Sequence, residues 1–275
     1  IMICPRGPQT VLLVQDFTID EILQEASPVF SDKLGMLKGY VHKIVLKPHV
    51  IPVQHKVTRV PLMARQVVKK LLGEMLQNGV IEPVETSRWI SPIVISAKAD
   101  GSYRFCVDLR ALNAHVVADT FPLPNVSEMV LLLNGGKFFT KLDLRHAYHQ
   151  IRLHESSKAL TAFITTEGTY QFTRMPFGLC SAASVFQRMM DQLFKGIRNV
   201  VFFQDDILVF GESVEEHNTI LRQVLHRLLE VGLTLKREKC KFLEEEVEYL
   251  GHTISAQGVR PKLKLIRAIE QTPVP

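Results

Sequence analysis

Apolar and polar residues recur along this chain with two different periods, and each change of period marks a new element. KIVLKPHVIPVQHKVTRVP (residues 43–61) alternates but is interrupted by prolines, which predicts extended chain or edge strand rather than helix. In ARQVVKKLLGEMLQNGVI (64–81), Val67, Leu71 and Met75 fall at helical spacing and Gly79 is placed to stop the helix. WISPIVISAKADGSYRFCVDLRALN (89–113) returns to short apolar runs, two strands joined by a turn at Asp100-Gly101, with Lys98 and Arg104 on either side of it. A helix over NVSEMVLLLNGG (125–136) leads into KFFTKLDLRHAYHQIRL (137–153). There Phe139, Lys141 and Asp143 alternate with Thr140, Leu142 and Leu144, so Asp143 ends a strand.

The second half repeats the alternation of helix and strand. SAASVFQRMMDQLF (181–194) sets Val185, Phe186, Met189, Met190 and Leu193 on one helical face, read as core packing. VVFFQDDILVFG (200–211) reads as a hairpin. Ser213-x-x-Glu216 forms a capping box for a helix that buries Leu221, Val224, Leu225 and Leu228 and stops at Gly232. TLKREKCKFLEEEVEYLGHTIS (234–255) is strand-like, and residues 1–30 read as a leader or linker with a short helical stretch at DEILQEA. Strands and helices mixed in this order predict an α+β fold.

The 200–211 hairpin raises the chemical question. Asp205 and Asp206 sit side by side between two strongly apolar runs, where an unpaired carboxylate is expensive to desolvate. One answer is a solvated turn that happens to carry acids. The other is a divalent cation that neutralises the pair, which calls for a third acid. Asp143 supplies it if its strand lies beside the hairpin in one sheet. Three carboxylates sharing a site suit a two-metal centre for in-line phosphoryl displacement.

Composition limits the setting more than the chemistry. The chain has 275 residues, 46% of them hydrophobic and 22% charged, enough for one large or two modest domains. A net charge of +5 suits a polyanionic partner without demanding one. Cys4, Cys106, Cys180 and Cys240 form no disulfide or zinc pattern, which favours an intracellular, reducing environment. No apolar run approaches the roughly 18 residues of a membrane span. The absence of an initiator Met and the ending QTPVP suggest a segment of a longer polypeptide.

Several blocks then agree at once. KLDLRHAYHQI, TAFITTEGTYQFTRMPFGLCSAASVFQRMM, FFQDDILVFG, KCKF and YLGHTISAQG, with WISPIVISAKADGSYRFCVDLRALN before them, resemble the reverse transcriptase of gypsy-type LTR retrotransposons. The resemblance runs from near Phe30 to the C-terminus. It implies a right-hand polymerase fold, with fingers at approximately 31–136 and 156–178, palm at approximately 137–155 and 179–256, and a thumb absent or only begun. The implied activity is RNA-directed DNA polymerisation from a paired primer on an RNA or DNA template, using dNTPs and two Mg²⁺ ions, with Mn²⁺ as an alternative. The expected setting is a cytoplasmic particle or the nucleus. The family also implies a pol polyprotein whose other domains, including ribonuclease H, are not encoded here.

Position by position, Asp143, Asp205 and Asp206 match the family's catalytic aspartates and metal ligands. Lys98 and Arg104 match the cations on the incoming triphosphate, and Tyr148 the aromatic that packs under the sugar and excludes a 2′-hydroxyl. Phe177 and Gly178 match the lining of the nucleotide pocket, Arg110 a template contact, and Leu250-Gly251 the strand pair at the primer end. Phe203 and Gln204 depart from the usual Tyr and small or branched apolar residue before the aspartate pair. Gln204 is the odder change, since it would put a polar amide beside the primer end. Two rivals follow: a non-catalytic remnant binding nucleic acid or protein, and an RNA-dependent RNA polymerase, which the bulk of Tyr148 disfavours.

Overall fold

The computed structural model describes residues 17–97 and 103–261. Its centre is a four-stranded antiparallel sheet in the order Lys241–Glu244, Phe138–Asp143, Asp206–Gly211, Val200–Phe203. Alternation makes this sheet two-faced. Leu142, Ile207, Val209 and Phe202 point into a core built with the helices Ala182–Leu193 and Val214–Val231. Phe139, Leu208, Phe210 and Val201 point the other way, into a second core. That core is closed by the helix Val126–Leu132 and by a three-stranded sheet of Glu246–Tyr249, His252–Ser255 and Gly258–Pro261.

The flanking helices form where the spacing predicts them. Val214–Val231 buries Leu221, Val224, Leu225 and Leu228 completely and ends at Gly232, whose φ of +79° only glycine adopts without strain. Its start is capped by Ser213 Oγ, which accepts from Glu216 N at 3.2 Å. Glu216 does not close the box on Ser213; its carboxylate accepts from Glu212 N at 2.8 Å and from Asn199 Nδ2 at 3.0 Å. In the helix Leu62–Gln77 the buried stripe runs through Ala64, Val68 and Leu72. Val67, Leu71 and Met75 are half-buried along its edge, so the face is rotated from the expected one.

A second sheet of five strands runs in the order Ile81–Pro83, Gly168–Phe172, Phe163–Thr165, Ser91–Ala97, Tyr103–Val107. Ser91–Ala97 and Tyr103–Val107 pair antiparallel as the pattern requires. Their Asp100-Gly101 turn, like Lys98, lies outside the described residues. The proline-broken stretch 43–61 is extended and touches its neighbours at isolated bridges, Leu46 with Val116 and Gln54 with Ile90. Among the described residues no helix is long and apolar enough to cross a membrane.

Of the segment read as a leader or linker, residues 1–16 lie outside the described residues and the rest packs against the protein. In residues 17–30, a helix at Ile19–Glu25 buries Ile22 and Leu23, and Val29 follows with no exposed surface. Leu235 N donates to Val29 O at 2.8 Å, and Arg222 grips Glu25 through Nε at 2.7 Å. Polar residues on the outside of a short helix hid an apolar face too brief for periodicity to register. A fully buried amide, Gln150, ties the next segment down: its Nε2 donates to Arg145 O and Thr234 O, and its Oε1 accepts from Thr234 N at 2.8 Å. Gln150→Ala strands these backbone groups in the core at about 1–3 kcal/mol each. Urea unfolding is expected to show a correspondingly lower midpoint with an unchanged m-value.

Candidate active site

The ladder between Phe138–Asp143 and Asp206–Gly211 sets Asp206 directly opposite Asp143. The hairpin turn falls one residue earlier than the sequence suggests: Phe203 pairs with Asp206, so Gln204 and Asp205 make the two-residue loop and Asp206 begins the strand. The cause is the two-faced sheet. Ile207 and Val209 belong to the helix side and Leu208 and Phe210 to the other, and a slip would reverse them all. Gln204 sits exposed at the tip with φ of +53°, a conformation in which a β-branched side chain would be strained. Asp205 folds back from the loop, its carbonyl accepting from Leu144 N at 3.1 Å.

The three carboxylates therefore come together at one sheet end, and their electrostatics show it. Burial pushes the Asp205 carboxyl up to about 6, with Asp143 and Asp206 adding like-charge repulsion and Lys239 partly offsetting it. Asp205 Oδ1 is buried without a hydrogen-bond partner. Lysines hold the other two: Lys141 Nζ lies 2.9 Å from Asp206 Oδ2, and Lys239 Nζ 3.3 Å from Asp143 Oδ2. Lys141 was visible in the alternation, two residues before Asp143 on the same face. Lys239 was not, because a distant turn delivers it: Lys236 N donates to Asp143 O at 2.9 Å and starts the short helix Arg237–Lys239.

With the lysines in place, no set of three His, Cys, Asp or Glu side chains among the described residues stands arranged to ligate an ion. The donor set nevertheless fits a hard divalent cation. Oxygen donors are the right chemistry, the orphaned Asp205 Oδ1 is an acceptor in search of a partner, and the repulsion within the set is what a cation would remove.

Tyr148 belongs to the same neighbourhood. It lies in the short helix Ala147–Gln150 that follows Asp143, half-buried, its ring 5.0 Å from Phe177 and edge-on to Phe186 at 5.6 Å. Burial and the nearby Asp205 push its hydroxyl up to about 12. Phe177 is an exposed aromatic, 40% accessible, so Tyr148 and Phe177 form an open apolar surface beside the acids. Gly178 has φ of +85°, and its carbonyl accepts from Asn113 Nδ2 at 2.8 Å while Asn113 Oδ1 accepts from Cys180 N at 2.9 Å. Asn113 thus clamps the Phe177-Gly178 turn, a role with no signal in its sequence surroundings.

The remaining candidates sit differently. Arg104 lies in its strand opposite Ser96; its side chain, like the whole of Lys98, lies outside the described residues. Arg110 is highly exposed and bound through Nε and Nη2 to Asp108, which holds the Asp108 carboxyl down to about 2. Leu250 and Gly251 form a hairpin turn with φ of +49° and +80°, as a two-residue loop of this hand requires. Tyr249 beside them is buried against the second core, 6.0 Å from Lys141 Nζ, and its hydroxyl has no partner. Burial and Asp206 raise its pKa strongly.

The Asp205 shift sets a sign for stability. A carboxyl whose folded pKa is raised favours folding while protonated, below the unfolded value near 4, and loses that advantage as pH rises through about 6. In EDTA, wild type is expected to lose stability between pH 4 and 7 through this group. Asp205→Asn removes the loss and raises Tm at pH 7, by about 2–4 °C for each kcal/mol of repulsion relieved. Thermal melts of both proteins across that range would show the gain vanishing toward pH 4.

Comparison with known proteins gives the family of the chain. Residues 96–254, more than half of the chain, match the family model described as reverse transcriptase (RNA-dependent DNA polymerase). The Pol polyprotein from transposon opus of Drosophila melanogaster is 37% identical over 98% of this chain, and that from transposon gypsy of the same organism is 33% identical over 76%. The chain spans only 27% and 21% of those two relatives. A foamy viral protease-reverse transcriptase solved in complex with an RNA/DNA hybrid superposes with a TM-score of 0.84 at 24% identity, covering 93% of this chain and 35% of that one. Its fold, the family match and the identity to transposon relatives converge: the chain belongs to the reverse transcriptase (RNA-dependent DNA polymerase) family.

Proposed function

We propose that this chain is the polymerase core of a retrotransposon reverse transcriptase, extending a paired primer on an RNA or DNA template with deoxynucleoside triphosphates. The observation that carries the reading is the register of Asp143 against Asp206, with Asp205 folded back beside them and one of its oxygens unpartnered. Asp143, Asp205 and Asp206 would hold two divalent cations, Mg²⁺ by preference or Mn²⁺. Such ions supply charge neutralisation at the attacking and leaving oxygens of a phosphoryl transfer. Lys141 and Lys239 keep the metal-free carboxylates from repelling one another and give way on loading.

The chain's own residues then divide the work of binding. Lys98 and Arg104 hold the triphosphate, Arg104 as a fork and Lys98 as a point charge. The Tyr148 ring, backed by Phe186, packs beneath the sugar, and Phe177-Gly178, fixed by Asn113, lines the same pocket. Arg110 reaches the template and Leu250-Gly251 the primer end. Fingers at approximately 31–136 and 156–178 and palm at approximately 137–155 and 179–256 carry these groups, with residues 17–30 packed on the palm helix Val214–Val231. Other pol-derived domains are expected partners, in an intracellular particle or the nucleus.

Primer extension on poly(rA)/oligo(dT) with Mg²⁺ or Mn²⁺ tests the proposal. Asp143→Asn, Asp205→Asn and Asp206→Asn are each expected to abolish extension while the far-UV spectrum stays unchanged; near-full activity in Asp205→Asn would remove the assignment. Tyr148→Val is expected to keep extension but raise UTP over dTTP incorporation, measured as a ratio of kcat/KM, by about 1–3 kcal/mol. An unchanged ratio would assign Tyr148 to the core.

A further inference from the structure

Arg174 presents a charge that the catalytic reading does not use. It is only 7% exposed, yet among the described residues its guanidinium makes one hydrogen bond, Nη1 donating to Gly35 O at a long 3.4 Å. No carboxylate pairs with it among the described residues. Its charged neighbour is another guanidinium, Arg152, whose backbone bridges that of Arg174. His149, also near, is no counter-ion, since burial, His146 and Arg174 push its pKa down to about 3. A guanidinium cannot shed its proton to relieve burial, so Arg174 stays charged while only 7% exposed, and those of its nitrogens that find no protein partner keep contact with solvent.

Arg152, Glu155, Lys158, Thr173 and Arg174 line a cavity of about 360 Å³ whose apolar wall includes Met36. Lys158 is already bridged to Glu82 at 3.1 Å and to Glu155 at 2.8 Å, so the single lining carboxylate is committed to it. Of the three lining cations Lys158 is paired with both Glu155 and Glu82, whereas the guanidiniums of Arg152 and Arg174 have no carboxylate partner among the described residues. Two guanidinium forks from adjacent backbone positions, one buried and one exposed at the mouth, match a tetrahedral oxyanion of charge −2. The volume admits a small phosphorylated molecule as well as a bare anion.

We propose that the Arg152–Arg174 cavity is an anion site that takes a phosphate group, separate from the triphosphate contacts assigned to Lys98 and Arg104. Arg174 is the buried anchor and Arg152 the gate-side donor. The site lies directly before the Met175–Gly178 turn, Met175 N donating to Ile151 O at 2.8 Å, so its occupant would brace the backbone that leads to Phe177. Its phosphate could arrive on a free small molecule or on a nucleic-acid strand, and the chemistry of the cavity is the same for both.

Calorimetric titration with inorganic pyrophosphate in EDTA, at constant ionic strength, tests it. Saturable binding is expected for wild type and for Arg104→Gln, and roughly tenfold or more weaker binding for Arg152→Gln. Arg174→Gln is expected to abolish binding; because Arg174 is buried, the exposed Arg152→Gln carries the test. Displacement of pyrophosphate by a single-stranded oligonucleotide in wild type would assign the site to a strand phosphate, and persistence of binding would assign it to a small molecule. Absence of saturable binding in wild type, Arg152→Gln binding within twofold of wild type, or loss of binding in Arg104→Gln but not in Arg152→Gln would overturn the proposal. None of these readouts depends on polymerase activity.

Discussion

Asp143 and Asp206 face each other across an antiparallel ladder, and most of the molecule is arranged so that they stay there. Two like charges at directly opposed positions are unfavourable in a sheet, so something larger has to hold the register. Six consecutive pairs link the two strands, and their side chains are divided between two separate cores. Slipping by one residue would turn Leu142, Ile207 and Val209 away from the helices and bring Leu208 and Phe210 into their place. Hydrophobic burial on both faces thus fixes the position of the carboxylates at the end of the ladder.

The same constraint explains the polar groups around the acids. Lys141 shares a face with Asp143 because strand alternation permits nothing else, and it reaches Asp206 across the ladder. Lys239 arrives by a different route, through the backbone bond from Lys236 to Asp143. That second route depends on Gln150, which locks Thr234 beside Arg145 and so sets the path of the chain into residues 236–239. Of the three acids Asp205 is the one with a buried oxygen lacking a partner among the described residues, and it bears the raised pKa. Strain of this kind, held by a well-packed surround, is what a metal-loading site requires.

Beside the acids, rigidity is built from small polar clamps rather than bulk. Asn113 satisfies both a donor and an acceptor of the Gly178–Cys180 segment, and Gly178 supplies the positive φ that the turn needs. Phe177 is left exposed as a result, its ring tilted against that of Tyr148 at 5.0 Å. The Arg152–Arg174 bridge lies on the same backbone, directly before Met175, whose N donates to Ile151 O at 2.8 Å.

Much was legible in the chain because its signals are local. Period-two alternation placed Asp143 at a strand end, spacing of Leu221, Val224, Leu225 and Leu228 gave the helix after the hairpin, and Ser213 and Gly232 marked its ends. The blocks around Asp143 and Asp205-Asp206 carried the family. Other features are products of tertiary packing. The turn fell on Gln204-Asp205 because two opposed cores, not turn propensity, chose the register. Residues 17–30 docked because Ile22, Leu23 and Val29 found an apolar surface contributed by Val214–Val231, some 190 positions away. Lys239, Asn113 and the Arg152–Arg174 pair owe their roles to contacts between segments remote in sequence or joined by a backbone bridge. Local pattern decides which elements form and which face of each is apolar; only their packing decides which charges meet.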